Sequence, residues 1–481
     1  MHAAERQQQK RVVGVFAALS VVSFLLFNSF SSALEHPKIL PVELWLVIPF
    51  IVLLASIAVG PFVNRRWWEE HYHFIALGLG LAVAFYYLFV LGNGGRLFIT
   101  TYEYVSFISL IGSLFVVSGG IHITIKGKAS PWENVALLGT GAVLSNFLGT
   151  TGASMVLIRP YLRTNKYRIR AYHVVFFIFV VSNIGGALTP IGDPPLFLGY
   201  LKGVPFFWIF SRVDEIWALT VGLVLLIFFL VDYYHYKHVP AKVQHEASHV
   251  DEPQVSGLHN VAFLFIILGA VFIQKPLMVR EVIMWSAALG SLYTTTKQIH
   301  QKNDFNFLPI KEVAILFAGI FATMIPALDW LDLNAAKIGI TTPAQYYWGT
   351  GILSSFLDNA PTYLNFLTAS FGLHGANLED VRHMNLMLGF NTPESLGLTN
   401  PLHNGAMLFT AETWRYVQAV SLGAVFFGAM TYIGNGPNFM VKSISEQMGV
   451  DCPSFFGYII KYSIPVLLPV FALVWFLFLR T

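Results

Sequence analysis

Apolar residues run through this chain in blocks of near-spanning length, separated by short polar punctuation. Crossing a bilayer as an α-helix takes about 20 mostly apolar residues. On that measure the pattern predicts helices near 12–33, 42–62, 73–93, 102–125 and 215–235, then 258–275, 279–296, 311–331 and 455–479. Four more blocks are apolar at their flanks and polar at their centres: 132–157, 171–201, 343–370 and 412–444. The expected fold is an all-α polytopic membrane protein with about 11 transmembrane helices.

The polar-centred blocks carry the information. In 171–201 the centre reads Ser182-Asn183-Ile184-Gly185-Gly186-Ala187-Leu188-Thr189-Pro190-Ile191-Gly192-Asp193-Pro194-Pro195. Proline removes hydrogen-bond donors and clashes with the preceding turn, and glycine adds backbone freedom, so the helix should break there. Broken backbone at membrane depth survives only where protein or a polar cavity surrounds it. In 132–157, Ser, Asn, Thr and Gly dominate Ser145 to Ser154, and each flanking arm is half a crossing long. That block is expected to be a re-entrant hairpin with its tip near the midplane.

The two halves repeat this order. Leu144-Ser145-Asn146-Phe147-Leu148 aligns with Leu353-Ser354-Ser355-Phe356-Leu357, and Gly186 to Phe197 aligns with Gly428 to Phe439. The offset grows from 209 to 242 between the two matches, which places an insertion near 372–411. The expected organisation is an N-terminal transmembrane helix (1–35) and a first repeat (36–236, with hairpin 132–157 and broken helix 171–201). A cytoplasmic linker (237–257) leads to a second repeat (258–481, with hairpin 343–370 and broken helix 412–444). With five crossings per repeat, the second enters the membrane inverted. Paired interrupted helices in inverted repeats mark the binding site of secondary transporters.

Composition agrees. The chain has 481 residues, 55% hydrophobic and 11% charged, against about a quarter charged in soluble domains. The net charge of +3 gives no footprint for nucleic acid. A single cysteine, Cys452, excludes an intrachain disulfide or a cysteine-cluster metal site. With a cytoplasmic N-terminus and both hairpins returning to their own side, most of the 29 Lys and Arg residues fall inside, as the positive-inside rule asks. No nucleophile–base pair or phosphate loop is visible, so an enzyme is not expected.

Ser182 to Asp193, together with Leu357-Asp358-Asn359-Ala360-Pro361-Thr362, resembles the ion transporter superfamily, specifically NhaD-type sodium/proton antiporters and a related citrate transporter family. The likeness runs from the second helix to the end of the chain. It implies scaffold and transport domains, two opposed hairpins, a homodimer, elevator-like alternating access, and residence in a bacterial inner membrane. Carried over by position, a first ion site would use Ser145, Asn146, Thr150, Asn183, Thr189 and Asp193. A second would use Ser354, Ser355, Asp358, Asn359, Thr362, Thr431, Asn435 and Asn438. Ser355 departs from the Ser-Asn-Thr triplet of dicarboxylate carriers, and Gly149-Thr150 interrupts the triplet in the first hairpin.

Sodium is a hard cation that takes oxygen ligands, which the hairpin tips and breaks concentrate. A carboxylate near the bilayer centre costs about 2.5–3.5 kcal/mol on insertion scales and is functional by default. H⁺ and Na⁺ competing for Asp193 and Asp358 is the core of an antiport cycle. The leading expectation is therefore Na⁺/H⁺ antiport without a cofactor; the alternative is a Na⁺- or H⁺-coupled symporter of citrate or another di- or tricarboxylate. Helix N-capping is the plain alternative role for both acids. His122, expected mid-helix, is weighed as a proton relay against a hydrogen-bonded packing histidine.

Overall fold

The computed structural model describes residues 39–124, 129–238, 254–403 and 405–480. The expected helix at 12–33 and most of the 237–257 linker lie outside the described residues. In chain order the main elements are α1 (Ile48–Val63), α2 (Arg65–Phe85), α3 (Gly94–Gly119), α4 (Pro131–Thr164) and α5 (Ala171–Val180). Then come α6 (Pro194–Leu201), α7 (Phe206–Lys237), α8 (His259–Val271), α9 (Val279–Thr294) and α10 (Leu308–Asn334). The series closes with α11 (Pro343–Phe356), α12 (Asn359–Leu373), α13 (Trp414–Phe427) and α14 (Gly436–Gln447), and with α15 (Phe455–Leu479). Two three-residue strands, β1 (His122–Thr124) and β2 (Gln254–Ser256), pair antiparallel. Among the described residues, eight helical stretches are long and apolar enough to cross a membrane. The protein is an all-α, multi-pass membrane protein.

Several boundaries move for identifiable reasons. α3 starts eight residues before the expected 102 and ends at Gly119, where Gly119-Gly120 releases the backbone into β1. His122 is consequently on a strand rather than in a helix, buried, with Nδ1 2.8 Å from Asn303 Oδ1. α8 ends at Val271, four residues short of the expected 275, and α9 starts at the expected 279, behind the left-handed Met278, and ends at Thr294, where Thr295 turns extended. The second arm of α4 continues past 157 to Thr164; Arg159 and Arg163 had ended the apolar run but not the helix.

α4 is not one rod. Gly149 has φ 72° and ψ 156°, a conformation open to glycine and strained for other residues. Asn134 and Asn165 exchange side-chain hydrogen bonds of 2.9 and 2.8 Å although 31 residues apart. A continuous helix would hold them ~46 Å apart. The two arms therefore fold back on each other, with a Ser130–Glu133 capping box and Pro131 opening the first. α11 and α12 form the matching pair: the Tyr346 and Phe366 rings meet edge-on at 6.2 Å, and Thr342 and Gln345 form the entry capping box.

α7 shows that the hairpins enter from opposite ends. Near its C-terminus, Asp232 accepts from Asn134 at 3.0 Å and Tyr172 at 2.7 Å, and pairs with Arg168, all at the base of the first hairpin. Near its N-terminus, the Arg212 guanidinium lies 4.1 Å from the Trp414 ring, and the Arg212 carbonyl accepts from Gln418. Next to these, Tyr416 donates to Thr341 at 2.6 Å, at the mouth of the second hairpin. Arg212 and Asp232 are about 30 Å apart along the helix at 1.5 Å per residue, one hydrocarbon thickness. α1, α2, α3, α8, α9 and α10 pack mutually as one group; the hairpins and broken helices pack against it through α3 with α4 and α10 with α12.

The fold-back of α4 predicts a cross-link. With Cys452→Ser as background, Asn134→Cys and Asn165→Cys together should be joined by a short bifunctional thiol reagent, seen as a shift on a gel after cleavage between them. Failure of that pair to react while each single cysteine is labelled would mean that the arms are apart.

Candidate functional site

Each hairpin tip is stitched into a helix break. At the first, Ser145 donates to the carbonyls of Gly141 (2.8 Å) and Val181 (2.7 Å), and Asn146 Nδ2 donates to Gly185 O at 2.7 Å. Asn146 Oδ1 accepts from Leu188 N at 3.0 Å, and Thr189 Oγ1 donates to Asn146 O at 2.7 Å. Between α5 and α6 the backbone runs as a 3₁₀ turn (Ile184–Leu188). It then doubles back so closely that a Cβ on Gly192 would stand 2.1 Å from Gly186 O. Only hydrogen fits there.

The second tip copies the first. Ser354 donates to Ala424 O at 2.6 Å, Ser355 to Gly351 O at 2.9 Å, and Thr431 Oγ1 to Ser355 O at 2.5 Å. Thr189 and Thr431 are repeat-related, as are Asn146 and Ser355, so the same bond is made twice. A Cβ on Gly434 would meet Gly428 O at 2.7 Å, the counterpart of the Gly192–Gly186 contact.

The two sets of residues do not remain separate. Asp193, fully buried between the break and α6, accepts from Thr150 Oγ1 at 2.8 Å, from Asn435 Nδ2 at 3.0 Å and from Asn359 Nδ2 at 2.7 Å. These donors come from the first hairpin tip, the second break and the second hairpin tip. The offset of 209 relates Thr150 to Asn359, and the offset of 242 relates Asp193 to Asn435. The equivalent tips thus bind one carboxylate, which lies against its own repeat mate. Asn183 joins the same cluster, donating to Asn438 Oδ1 at 2.7 Å and accepting from Asn435 at 3.2 Å. Asn438 donates to Gly428 O and Thr431 O at 2.8 and 2.9 Å.

The acids divide their roles. Asp193 precedes α6 at its N-cap position but makes no side-chain cap bond. Asp358 does cap its helix, accepting from Ala360 N at 3.0 Å, and its carbonyl accepts from Thr362 Oγ1 at 2.8 Å. Asp358 is half-buried and occupies the repeat position of Gly149. Among the described residues, no basic side chain pairs with Asp193. Asn359 turns its amide NH₂ toward Asp193, and its buried Oδ1 has no partner. A carboxylate held by neutral donors beside an idle amide oxygen is a donor set suited to a hard cation.

Comparison with known proteins is decisive at the level of family. A family model described as "Putative citrate transport" matches residues 40–479. The chain belongs to this citrate transport family. No curated protein matches it. Membership makes it a membrane transporter, and the match takes in both hairpins, both breaks and the frame around them.

In this family member a narrow cavity of about 20 Å³ lies beside the first tip, lined by Leu110 and Leu114 of α3, Thr150, Gly192, Pro194 and Phe197 among others. That is space for about one water molecule. The sequence reasoning missed a run of buried charges along the same α3–α6 seam. Arg96 pairs with Asp329 and Glu379 at 2.9 Å each, and Lys202 pairs with Glu103 at 2.6 Å and with Glu379. Arg280 pairs with Glu281 at 2.7 Å. An α3 that begins at the predicted residue 102 leaves Arg96 outside the helix; charges at 96 and 103 beside an apolar run are the available signal.

The contact between Gly186 and Gly192 predicts sharp intolerance. Gly192→Ala should destabilise the protein by about 3 kcal/mol or more, read as a lowered melting temperature in detergent. Gly436→Ala, where a Cβ meets nothing within 4 Å, should change it little.

Proposed function

We propose that the chain is a cation-coupled secondary transporter of a citrate-class carboxylate, with Asp193 as the group that takes the coupling Na⁺ or H⁺. The observation that carries the reading is the placement of Asp193: fully buried, bound by donors from three other segments, and matched by no basic side chain among the described residues. Neutral donors soften the burial of a carboxylate, but an uncompensated buried charge is strongly unfavourable. A proton or a metal ion completes it. Sodium would take Asp193 with the free Oδ1 of Asn359, and Asp358 is within electrostatic reach. Ser145, Asn146, Thr189, Ser354, Ser355 and Thr431 hold the surrounding carbonyls in position, so their part is to shape the site.

Family membership moves the emphasis from exchange of cations alone to cation-coupled carboxylate movement. Na⁺/H⁺ exchange by the same acid is the second reading, favoured by the water-sized cavity at the tip and by the neutrality of the side chains around Asp193. A homodimer, elevator-like alternating access and a cytoplasmic N-terminus in an inner membrane belong to the same proposal.

Asp193→Asn keeps the shape of the side chain and removes the charge. In proteoliposomes it should reduce Na⁺-driven uptake of labelled citrate to the level of protein-free vesicles while the protein remains monodisperse; wild-type uptake would refute the assignment. Wild-type uptake that requires an inward Na⁺ gradient supports symport, and a Na⁺-induced pH change without citrate supports exchange. Thr189→Val and Thr431→Val each remove one hydroxyl that ties a break to a tip, so each should raise the half-saturating Na⁺ concentration about fivefold. Unchanged Na⁺ dependence in both would count against a site shaped by these contacts.

A further inference from the structure

The buried cations of the α3–α6 seam are not equally satisfied. Arg96 binds two carboxylates, Asp329 through Nε and Glu379 through Nη1. Lys202 also has two, Glu103 and Glu379. Arg280 has one. Its Nε and Nη2 reach Glu281 at 2.9 and 2.7 Å, both ending on the same oxygen, Oε1. Its other bonds are to hydroxyls, Ser106 at 3.1 Å and Tyr102 at 3.4 Å.

The pairing is also geometrically awkward. Arg280 and Glu281 are consecutive in the first turn of α9, and neighbours at i and i+1 on a helix do not face each other. A matched arginine–carboxylate pair uses both oxygens in a fork. Here Glu281 is fully buried, yet its Oε2 has no hydrogen-bond partner. Buried acceptors of that kind are rare and call for an explanation.

Arg280 lies against a residue that lines the first-tip cavity. Its guanidinium carbon lies 5.8 Å from the centre of the Phe197 ring. Phe197, one turn beyond Asp193 on α6, also lines the cavity at the first hairpin tip. Ser106 is one turn along α3 from Leu110 of the same lining. The seam thus sets a guanidinium with spare donors against Phe197, behind the lining of the space beside the first hairpin tip. A guanidinium offers five N–H donors, and Glu281 Oε1 engages only two of its nitrogens.

We infer that Arg280 is the anion-recognising group of this transporter: the second carboxylate that Arg96 finds inside the protein, Arg280 takes from the cargo. Glu281 competes for the guanidinium and keeps it neutralised between cargo molecules. A hydroxyl or protonated carboxyl on the same cargo supplies the donor that Glu281 Oε2 lacks. The inference rests on the carboxylate-transport reading above and adds the residue that selects the cargo.

The test is the KM for labelled citrate under an inward Na⁺ gradient in proteoliposomes of the full chain. Arg280→Gln should raise KM about tenfold or more. Arg280→Lys, which keeps the charge but loses the fork, should fall between it and wild type. Glu281→Gln, which removes the competitor, should lower KM. A purely structural ion pair would make the Arg280 and Glu281 variants shift in the same direction, or lose maximal rate at unchanged KM; either result overturns the inference. If Arg280→Gln does not yield monodisperse protein, the opposite shifts of Arg280→Lys and Glu281→Gln still decide. Na⁺-driven wild-type uptake abolished by Asp193→Asn, with Arg280 variants unchanged, removes the inference and leaves the functional reading standing. Absence of citrate uptake by wild type removes both.

Discussion

A buried carboxylate where the two repeats meet, with no basic partner among the described residues, organises the architecture around it. Asp193 is kept by hydrogen bonds from Thr150, Asn359 and Asn435, and each donor must arrive from a different part of the chain. Hydrogen bonds to a charged group contribute more than neutral ones, about 1.5–3 kcal/mol each, yet three of them do not replace a cation. On the proposed function, the coupling cation or proton supplies the missing charge.

Bringing polar backbone to that depth requires every exposed N–H and C=O near the breaks to be answered by protein. The hairpins and breaks do this for each other: Ser145 and Asn146 of the first tip donate into carbonyls of the first break, Thr189 and Thr431 of the breaks donate into tip carbonyls, and Asn146 also accepts from Leu188 N. Close approach is obtained by deleting side chains, at Gly186 against Gly192 and at Gly428 against Gly434. The same economy explains why identities between the halves cluster at small residues. Elsewhere the repeats need only match in apolarity, and their sequences have drifted.

Much of this was legible in the sequence, because membrane-spanning length, proline, glycine and polar tips are strong local signals. The hairpin tips, both breaks and the fourteen candidate residues could be named from pattern and resemblance; of these the structure brings Thr150, Asn359 and Asn435 onto Asp193 and sets Asn183 and Asn438 beside them. What pattern could not supply was the partnership across halves. Nothing local says that Asn359 faces Asp193 rather than Asp358, or that Asp358 caps its own helix while Asp193 does not. Helix ends set by tertiary packing were also hidden: α3 begins before its apolar run, and the second arm of α4 outlasts its own. Buried charges such as Arg96 and Lys202 escaped notice because their partners lie far away in sequence.

The symmetric origin of the tip donors has a mechanical consequence. Thr150 belongs to a hairpin rooted at one end of α7 and Asn359 to a hairpin rooted at the other. Withdrawing either tip would strip one anchor from the same acid, so a displacement at either end of α7 is felt at Asp193. The two halves thereby share one set of contacts, and neither can shift at its tip without disturbing the other's.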